Sequence, residues 1–359
     1  MDNFEGRLIT GYSVAFAGIT GSLIALYSWL GPGLLESLPW NVWALLVIVL
    51  AYAVGLLIRV IRRMSKPVAA RPESDDRELY QALLALMRAA TKAADYREVV
   101  RLGDALGRPL FESGEFAIRL ELGRLTEEAA AHIGAREVQY RTLIDTIGWS
   151  LIELGDFPGA RKAIKHGLTL AEETGDPFYR AKAYRHLGAI ERRKGQNDAA
   201  LKYYEDAKSV AAEIPDRRDS DAMMAGITYA IAHLEFSRRN FKESFATVST
   251  AVKQFSALGD IYRLDMALVL KADIQVALEE PDLAKDTYRK VIQSSRLNRE
   301  SVHYARAVLG LVELYIDDGK SVEAKRLLSA LNAENVSSMP AFAERFKAAC
   351  TAVDPPETR

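Results

Sequence analysis

Small residues recur along this chain at a spacing of about 40 residues. The stretch 144–167 reads IDTIGWSLIELGDFPGARKAIKHG, and the stretch 184–207 reads YRHLGAIERRKGQNDAALKYYEDA. Both carry small side chains at the same four positions: Gly148, Gly155, Ala160 and Gly167 in the first, Gly188, Gly195, Ala200 and Ala207 in the second. A single unit of this length cannot bury its own apolar face, so the spacing predicts a stack of several units.

The repeating frame extends toward the C-terminus. One small residue holds the same place in five copies: Ala160, Ala200, Ser244, Ala284 and Ala324. The steps between them are 40, 44, 40 and 40 residues, and a four-residue insertion at IPDRRDSD explains the longer step. Before residue 135 the match is looser. We interpret 95–106 as the second helix of one degenerate repeat and 113–135 as part of another.

Apolar residues follow helical periodicity almost to the end of the chain, without strand-like alternation. Prolines are sparse and are expected at helix breaks: Pro109, Pro177, Pro215, Pro281 and Pro340. In the last helix, Phe342, Phe346 and Cys350 are predicted to face the rest of the fold. Glu344, Arg345 and Lys347 are predicted to face outward.

Tyr184-x2-Leu187-Gly188, followed by Ala200-x3-Tyr204 and Ala207, resembles the tetratricopeptide repeat (TPR). The resemblance covers roughly residues 80–335 and implies antiparallel helix pairs. Small residues would mark the crossing within a pair, and large residues would fill the gap between pairs. We therefore expect an all-α chain with a TPR-like α-solenoid over 77–337. Five clear repeats would start from about 138, and a capping helix and tail would occupy 338–359.

Two apolar segments precede the repeats. Residues 8–30 carry no charged side chain, and neither do residues 41–58. A bilayer core of about 30 Å requires roughly 20 helical residues. We therefore predict a two-helix transmembrane hairpin over 1–64, with spans at about 8–30 and 41–61, and a linker at 65–76. A signal peptide and a pair of buried core helices are the alternatives.

A basic cluster directly after the second apolar segment predicts the orientation of this hairpin. It comprises Arg59, Arg62, Arg63 and Lys66. Basic residues remain on the cytoplasmic side, so both termini are expected in the cytoplasm, at the inner membrane of a bacterium. The same cluster is expected to contact anionic lipid headgroups.

Both apolar segments also carry small residues four positions apart. These are Ser13, Ala17, Gly21 and Ala25 in the first segment, and Ala51 and Gly55 in the second. Such stripes mark packing faces between helices in lipid. The faces either pack the two spans on each other or also assemble a homo-oligomer.

Motifs of catalysis and metal binding are absent from the sequence. The five histidines are far apart in sequence, Cys350 is the only cysteine, and neither a GxSxG motif nor a phosphate-binding glycine loop occurs. We therefore predict that the protein is not an enzyme and has neither cofactor nor metal. Its net charge of -1 does not favour nucleic acid as a partner.

The TPR resemblance implies that the first helix of each repeat lines a concave groove. Eight candidate groove residues follow: Asp145, Trp149, Lys182, Arg185, Arg192, Tyr229, His233 and Phe236. The same register adds Thr142, Ile152, Ala189, Gly226, Met266, Val269, Asp273, Val276, Arg306, Leu309, Glu313 and Ile316. A basic strip beside an aromatic one predicts binding of a peptide with acidic and apolar side chains. A solvated face with ordinary packing is the alternative. The asparagines of carboxylate-clamp members are missing, so chaperone-tail binding is not expected.

Three functions are consistent with these features. The first is a membrane-anchored scaffold that recruits a protein partner to the cytoplasmic face of the membrane. The second is an oligomeric effector, for example in defence, that opens or disrupts the membrane when its solenoid senses a ligand or partner. The third is a sensor with a closed pocket for a small ligand.

Overall fold

The structure, a computed structural model, describes residues 74–295, 301–331 and 340–353, which belong to one compact unit, Pro72–Arg359. The predicted hairpin, its two spans, its packing residues and the basic cluster lie outside the described residues. Helix α1 begins at Ser74, within the predicted linker. Among the helices that are described, none combines the length and apolar character needed to cross a membrane.

The described residues are helical, with no strand in these ranges. The helices are α1 (Ser74–Lys92), α2 (Tyr96–Glu112), α3 (Phe116–His132), α4 (Arg136–Arg141, Thr142–Gly148 and Trp149–Glu153, without a break), α5 (Phe157–Thr174), α6 (Pro177–Arg193), α7 (Asn197–Ala211), α8 (Arg217–Ser237), α9 (Phe241–Leu258), α10 (Ile261–Ala277), α11 (Pro281–Ser294), α12 (Val302–Asp317), α13 (Ser321–Leu328) and α14 (Pro340–Val353). From α2 onward they form successive pairs, α2 with α3 through α12 with α13.

The small residues of the repeat lie where the two helices of a pair cross. A Cβ at Gly148 would lie 2.5 Å from Ile164, and a Cβ at Gly188 would lie 2.4 Å from the ring of Tyr204. Both partners are fully buried. This relationship, repeated 40 residues apart, confirms the predicted role of the small residues in close helix crossing.

The turn inside each pair repeats with the same period. Gly155 and Gly195 have φ angles of 82° and 76° there, in the left-handed region that glycine adopts without a steric penalty. Arg239 and Glu279 hold the equivalent positions with φ angles of 64° and 62°. The turn conformation therefore persists in two repeats whose sequence has lost the glycine.

Aspartates cap several of the first helices. The side chain of Asp176 accepts a hydrogen bond from the Tyr179 amide, and Asp216 and Asp260 cap α8 and α10 in the same way. These bonds satisfy amides that a helix start leaves unpaired. They fix where α6, α8 and α10 begin, and hence the register of the side chains on their inner faces.

The middle of α4 departs from α-helical geometry. Thr142–Gly148 form a π-helical segment between two α-helical ones. Such segments are rare and often occur at functional sites. This one carries Asp145, so a local change in backbone geometry coincides with a predicted groove residue.

Three sequence predictions about helix position are wrong. The stretch 95–106 lies in α2, the first helix of a pair whose second helix is α3. Pro109 lies inside α2 rather than at a break. Cys350 is exposed, because α14 packs through Phe342, Phe346 and Ala349 instead.

Arg345 does not simply face solvent as predicted. Its Nε and Nη2 donate to the Glu313 carboxylate at 2.8 Å and 2.7 Å. This pair links α14 to α12. The capping helix is therefore fixed by an ion pair in addition to its apolar face.

Candidate functional site

The first helices of the pairs share an inner face, the side on which side chains from non-neighbouring pairs approach one another. The clearest contact joins α2 to α10: the rings of Phe111 and Tyr262 lie 5.5 Å apart. Tyr262 also packs on His303 of α12 at 4.5 Å. The Arg119 guanidinium lies 5.1 Å from the centre of the Phe111 ring. The solenoid thus curves enough for α2 to meet α10, four pairs further along.

A charged cluster joins α4 and α6 on this face. Lys182 Nζ donates to the Asp145 carboxylate at 2.5 Å and lies over the rings of Phe178 and Tyr179 at 5.1 Å and 5.0 Å. Burial is the largest single effect on the pKa of the Asp145 carboxyl and raises it, but the surrounding positive charges, with the charge and hydrogen bond of Lys182 foremost, together outweigh burial and hold that pKa below its ordinary value. Asp145 is therefore an anion, neutralised by a residue of the next pair.

A neutral histidine anchors the neighbouring arginine. His186 is buried, and burial followed by the Arg185 charge lowers its pKa well below the ordinary value. Its Nδ1 lies 3.2 Å from the Ile144 carbonyl and its Nε2 lies 3.0 Å from Arg185 Nη2. Since a carbonyl only accepts, Nδ1 carries the proton and Nε2 accepts from Arg185. The ring of Trp149, 4.9 Å away, packs on this histidine.

Arg185 itself lacks a carboxylate partner in the described part of the chain. Its Nε is buried and has no hydrogen-bond acceptor there. Burial, followed by the Arg263 charge from α10, lowers the pKa of Arg185 to about 10. Arg185 is therefore still cationic at neutral pH. A second cation, Arg263 of α10, is close enough for its charge to act on Arg185.

An aromatic strip continues along α8. The Tyr229 and His233 rings are 6.1 Å apart, His233 and Phe236 are 6.3 Å apart, and Phe236 reaches Phe241 of α9 at 5.7 Å. The Nδ1 of His233 is buried with no partner among the described residues. Burial raises the pKa of Tyr229 and lowers that of His233 well below the ordinary value. Both rings are consequently neutral at physiological pH.

Ion pairs continue the inner face toward the C-terminus. Arg306 of α12 donates to Asp273 at 2.5 Å, and the Tyr288 hydroxyl donates to the same carboxylate at 2.6 Å. Arg193 pairs with Glu153 at 2.5 Å. These cations are neutralised within the protein, unlike Arg185.

The eight predicted groove residues fall into two groups. Asp145, Trp149, Lys182 and Arg185 converge on the first cluster, whereas Tyr229, His233 and Phe236 form the aromatic strip. The charge of Arg192 on α6 acts on the pKa of both Tyr229 and His233, two members of the aromatic strip.

Not every further position of the predicted register lines the groove. Ile152, Val269 and Leu309 are fully buried in the core. Gly226 instead faces the inner side: a Cβ there would lie 3.8 Å from Arg185 Cδ, so α8 supplies a flat surface on which the arginine rests. The predicted register therefore fails where a first helix turns that position into the core.

Sequence reasoning also missed residues of the inner face. Arg119 lies on α3, a second helix, which the first-helix register excludes. One signal pointed to it, since Arg119 shares a helical stripe with Leu122 and Thr126, both buried. Tyr262 and His303 lie in the first turns of their helices and gave no such signal.

Other parts of the described chain have fewer features of a binding site than the inner face. No group of three or more His, Cys, Asp or Glu side chains is placed to hold a metal within the described ranges. A shallow, open depression of about 610 Å³ lies at the start of α7, lined by residues 195–199 and Arg238. Arg238 pairs there with Asp198 at 2.7 Å. The cation that lines this depression is therefore already paired.

Comparisons with known proteins identify the fold. No protein-family model matches the chain. A protein with a tetratricopeptide repeat sensor, the signal transduction ATPase with numerous domains from Pyrococcus horikoshii, superposes with a TM-score of 0.52 at 14% identity. The match covers 82% of this chain and 44% of that one. The described residues therefore form a TPR-like α-solenoid.

Two further proteins are similar to this chain, one in sequence and one in structure. The chain is 25% identical over 210 residues to the transcription activator GutR of Bacillus subtilis (strain 168), covering 58% of this chain and 24% of GutR. It thus spans about a quarter of the length of that relative. A Rap protein in complex with competence and sporulation factor superposes with a TM-score of 0.49 at 14% identity, covering 77% of this chain and 80% of that one.

Proposed function

We propose that this chain is a TPR-like adaptor that binds a protein partner on its inner face and does so without chemistry of its own. The observation that carries this proposal is the inner face itself. It combines a cation without a carboxylate, a buried histidine nitrogen without a partner and a strip of aromatic rings. Unpaired polar groups are costly in the free protein, and a bound segment that supplies acceptors and apolar contacts would remove that cost.

Membrane anchoring is the second part of the proposal, and it rests on the sequence of residues 1–64 alone. Two apolar spans followed by a basic cluster would place the solenoid in the cytoplasm. Binding to the anchored solenoid would raise the local concentration of the partner at the membrane surface. The lipid contacts and the self-association through small-residue stripes belong to this part.

Site-specific photo-crosslinking tests the binding site. A photoreactive amino acid replaces Tyr229 on the inner face or, as the control, Val322, whose surface is 81% exposed. The expected result is a discrete covalent adduct with a second protein from position 229 and none from position 322. Adducts from 322 with none from 229 would place the partner outside the inner face and contradict the proposal.

Cys350 provides a separate test of the anchoring. It is the only cysteine of the chain and is exposed on α14. A membrane-impermeant maleimide is expected to label it only after cells are permeabilised, with the protein in the membrane fraction. Labelling of intact cells would reverse the proposed orientation. Recovery of the protein in the soluble fraction would refute the anchor while leaving the binding site untouched.

A further inference from the structure

We propose that Arg185 and Arg192 form an anion subsite for the carboxylates of an extended acidic peptide segment of the partner. The inference rests on the proposed function and adds the chemical class of the bound segment. It identifies two side chains of α6 that would recognise it.

The charge pattern of the inner face singles out these two arginines. Lys182 pairs with Asp145, Arg193 with Glu153 and Arg306 with Asp273. In the described part of the chain, Arg185 and Arg192 have no carboxylate within ion-pair distance. A partly buried guanidinium without a counter-ion is unfavourable, and an incoming carboxylate restores the missing partner.

The contacts of Arg185 hold it ready for such a ligand. Its Nη2 donates to His186, and His186 is itself fixed by the Ile144 carbonyl and the Trp149 ring. The Nε–H is buried and has no acceptor, so the guanidinium has an unsatisfied donor in the free protein. A positioned guanidinium loses little further freedom on binding, which suits recognition of a planar carboxylate.

The spacing of the two arginines favours a peptide over a compact anion. Seven residues separate Arg185 from Arg192, which corresponds to about 10 Å along the α6 axis. An extended peptide covers that distance with about three residues. This spacing matches two acidic side chains of one extended segment, each of which would meet one arginine.

The aromatic strip supplies the rest of the recognition. Arg192 lies close enough to His233 for its charge to act on the histidine pKa, and Tyr229 and Phe236 flank that ring. Apolar side chains between or beside the acidic ones would contact these rings. The expected segment therefore has two acidic residues two to four positions apart, with apolar neighbours.

Peptide selection tests the inference on the full chain, reconstituted in nanodiscs of uncharged lipid. Random peptides of about nine residues, long enough at about 3.3 Å per residue to span the inner face, are displayed on phage and selected. The expected result is enrichment of the acidic pair. Synthetic copies are then expected to bind Arg185→Gln and Arg192→Gln at least about tenfold more weakly, because each change removes a charged donor.

Arg217→Gln is the matched control, since it removes the same charge from a side chain that is 96% exposed on α8. Its affinity is expected to equal that of the unaltered chain. Should Arg185→Gln fail to fold, Arg185→Lys keeps the charge but loses the planar donor fork. That variant is expected to bind with intermediate affinity.

The remaining outcomes separate the inference from the proposed function. Selected peptides without acidic residues, or equal binding by the Arg185→Gln and Arg192→Gln variants, overturn the inference and leave a peptide-binding inner face. Selected peptides that bind equally well to the Lys182→Glu, Tyr229→Ala variant refute both.

A fluorescence experiment tests inorganic phosphate as the occupant instead. Trp29→Phe, Trp40→Phe and Trp43→Phe leave Trp149, which packs on His186, as the single tryptophan. An acidic peptide is expected to change its emission, and the Arg185→Gln variant is expected to lose this response. A response to inorganic phosphate with none to acidic peptides would show a small-anion site and overturn the peptide assignment.

Discussion

Arg119 of α3 donates through Nη1 to the carbonyl oxygen of Asp145 at 3.0 Å, so a buried cation holds the π-helical segment of α4. The same nitrogen lies 3.2 Å from the Thr146 carbonyl and from Ser150 Oγ, and Nε donates to the Gly107 carbonyl at 2.9 Å. Burial lowers the pKa of Arg119 to about 10, which leaves it charged at neutral pH. The backbone that presents Asp145 to Lys182 is thus set by a residue from the preceding pair.

Replacing this arginine tests that relationship. Arg119→Met keeps the aliphatic stem but leaves four acceptors without their donor, and we expect a loss of roughly 2–4 kcal/mol in the free energy of unfolding. Chemical denaturation measures the change. Arg124→Met, at an exposed position of the same helix, is the control and is expected to change stability by less than about 0.5 kcal/mol. Equal effects of the two changes would refute the proposed role of Arg119.

The close crossing of α6 and α7 gives a second test. Gly188→Ala would place a Cβ 2.4 Å from the fully buried ring of Tyr204, and we expect destabilisation by about 1–3 kcal/mol. Gly107→Ala in α2 is the matched change, because a Cβ there meets nothing within 4 Å. It should stabilise the protein by about 0.5–1 kcal/mol through helix propensity. Thermal unfolding of both variants distinguishes crowding from propensity, and a stabilising Gly188→Ala would contradict the crossing.

Glu279 retains a turn conformation that Gly155, Gly195 and Gly319 adopt in other repeats. A residue with a Cβ pays roughly 1–2 kcal/mol in the left-handed region. Glu279→Gly removes that strain but also raises the conformational entropy of the unfolded chain. We therefore expect the free energy of unfolding to rise by at most about 1 kcal/mol. Gly195→Ala, at the equivalent turn, should destabilise for the opposite reason. Denaturant midpoints provide the measurement, and a loss of stability in Glu279→Gly would argue against the observed turn.

Acid should weaken the fold through the buried histidines. Burial lowers the pKa of His303 to about 3, against about 6.5 in an unfolded chain. Below pH 6.5 the unfolded state therefore binds the proton and the native state does not, so stability falls as pH decreases toward 3. The expected loss is up to about 1.4 kcal/mol per pH unit for each such histidine.

Urea midpoints between pH 7 and pH 5.5 measure this loss. The His303→Gln variant should show a shallower pH dependence, whereas His166→Gln, at an exposed position, should match the unaltered chain. An unchanged slope in His303→Gln would mean that other groups cause the acid sensitivity.

The repeat was predictable because its spacing depends on contacts between neighbouring helices. Gly148 and Gly188 mark in the sequence the places where the two helices of a pair cross closely in the structure. The start of the solenoid was not predictable in the same way, since Arg119 follows the turn glycine Gly114 at the place where Ala160 follows Gly155, and Pro109 lies within a helix.

The inner face was predictable only in part. Lys182, Arg185 and Tyr229 follow from the register of first helices. Arg119 and Tyr262 do not, because their positions depend on contacts between different pairs, adjacent ones for Arg119 and distant ones for Tyr262. The π-helical segment of α4 also depends on such a contact, since its carbonyls accept from Arg119. The exposure of Cys350 was missed because α14 uses Ala349 in its buried stripe.

The central claim, that the partner binds on the inner face, is tested most directly by its affinity for the full chain. The crosslinked partner is purified and titrated against the unaltered chain and against Lys182→Glu, Arg185→Glu, Tyr229→Ala. The control carries Lys202→Glu, Arg217→Glu, Tyr203→Ala outside the inner face, and both variants are first checked for helicity. We predict that the inner-face variant loses at least about tenfold in affinity, equivalent to about 1.4 kcal/mol, and that the control binds as tightly as the unaltered chain. Equal affinity for the inner-face variant and the unaltered chain would contradict the account.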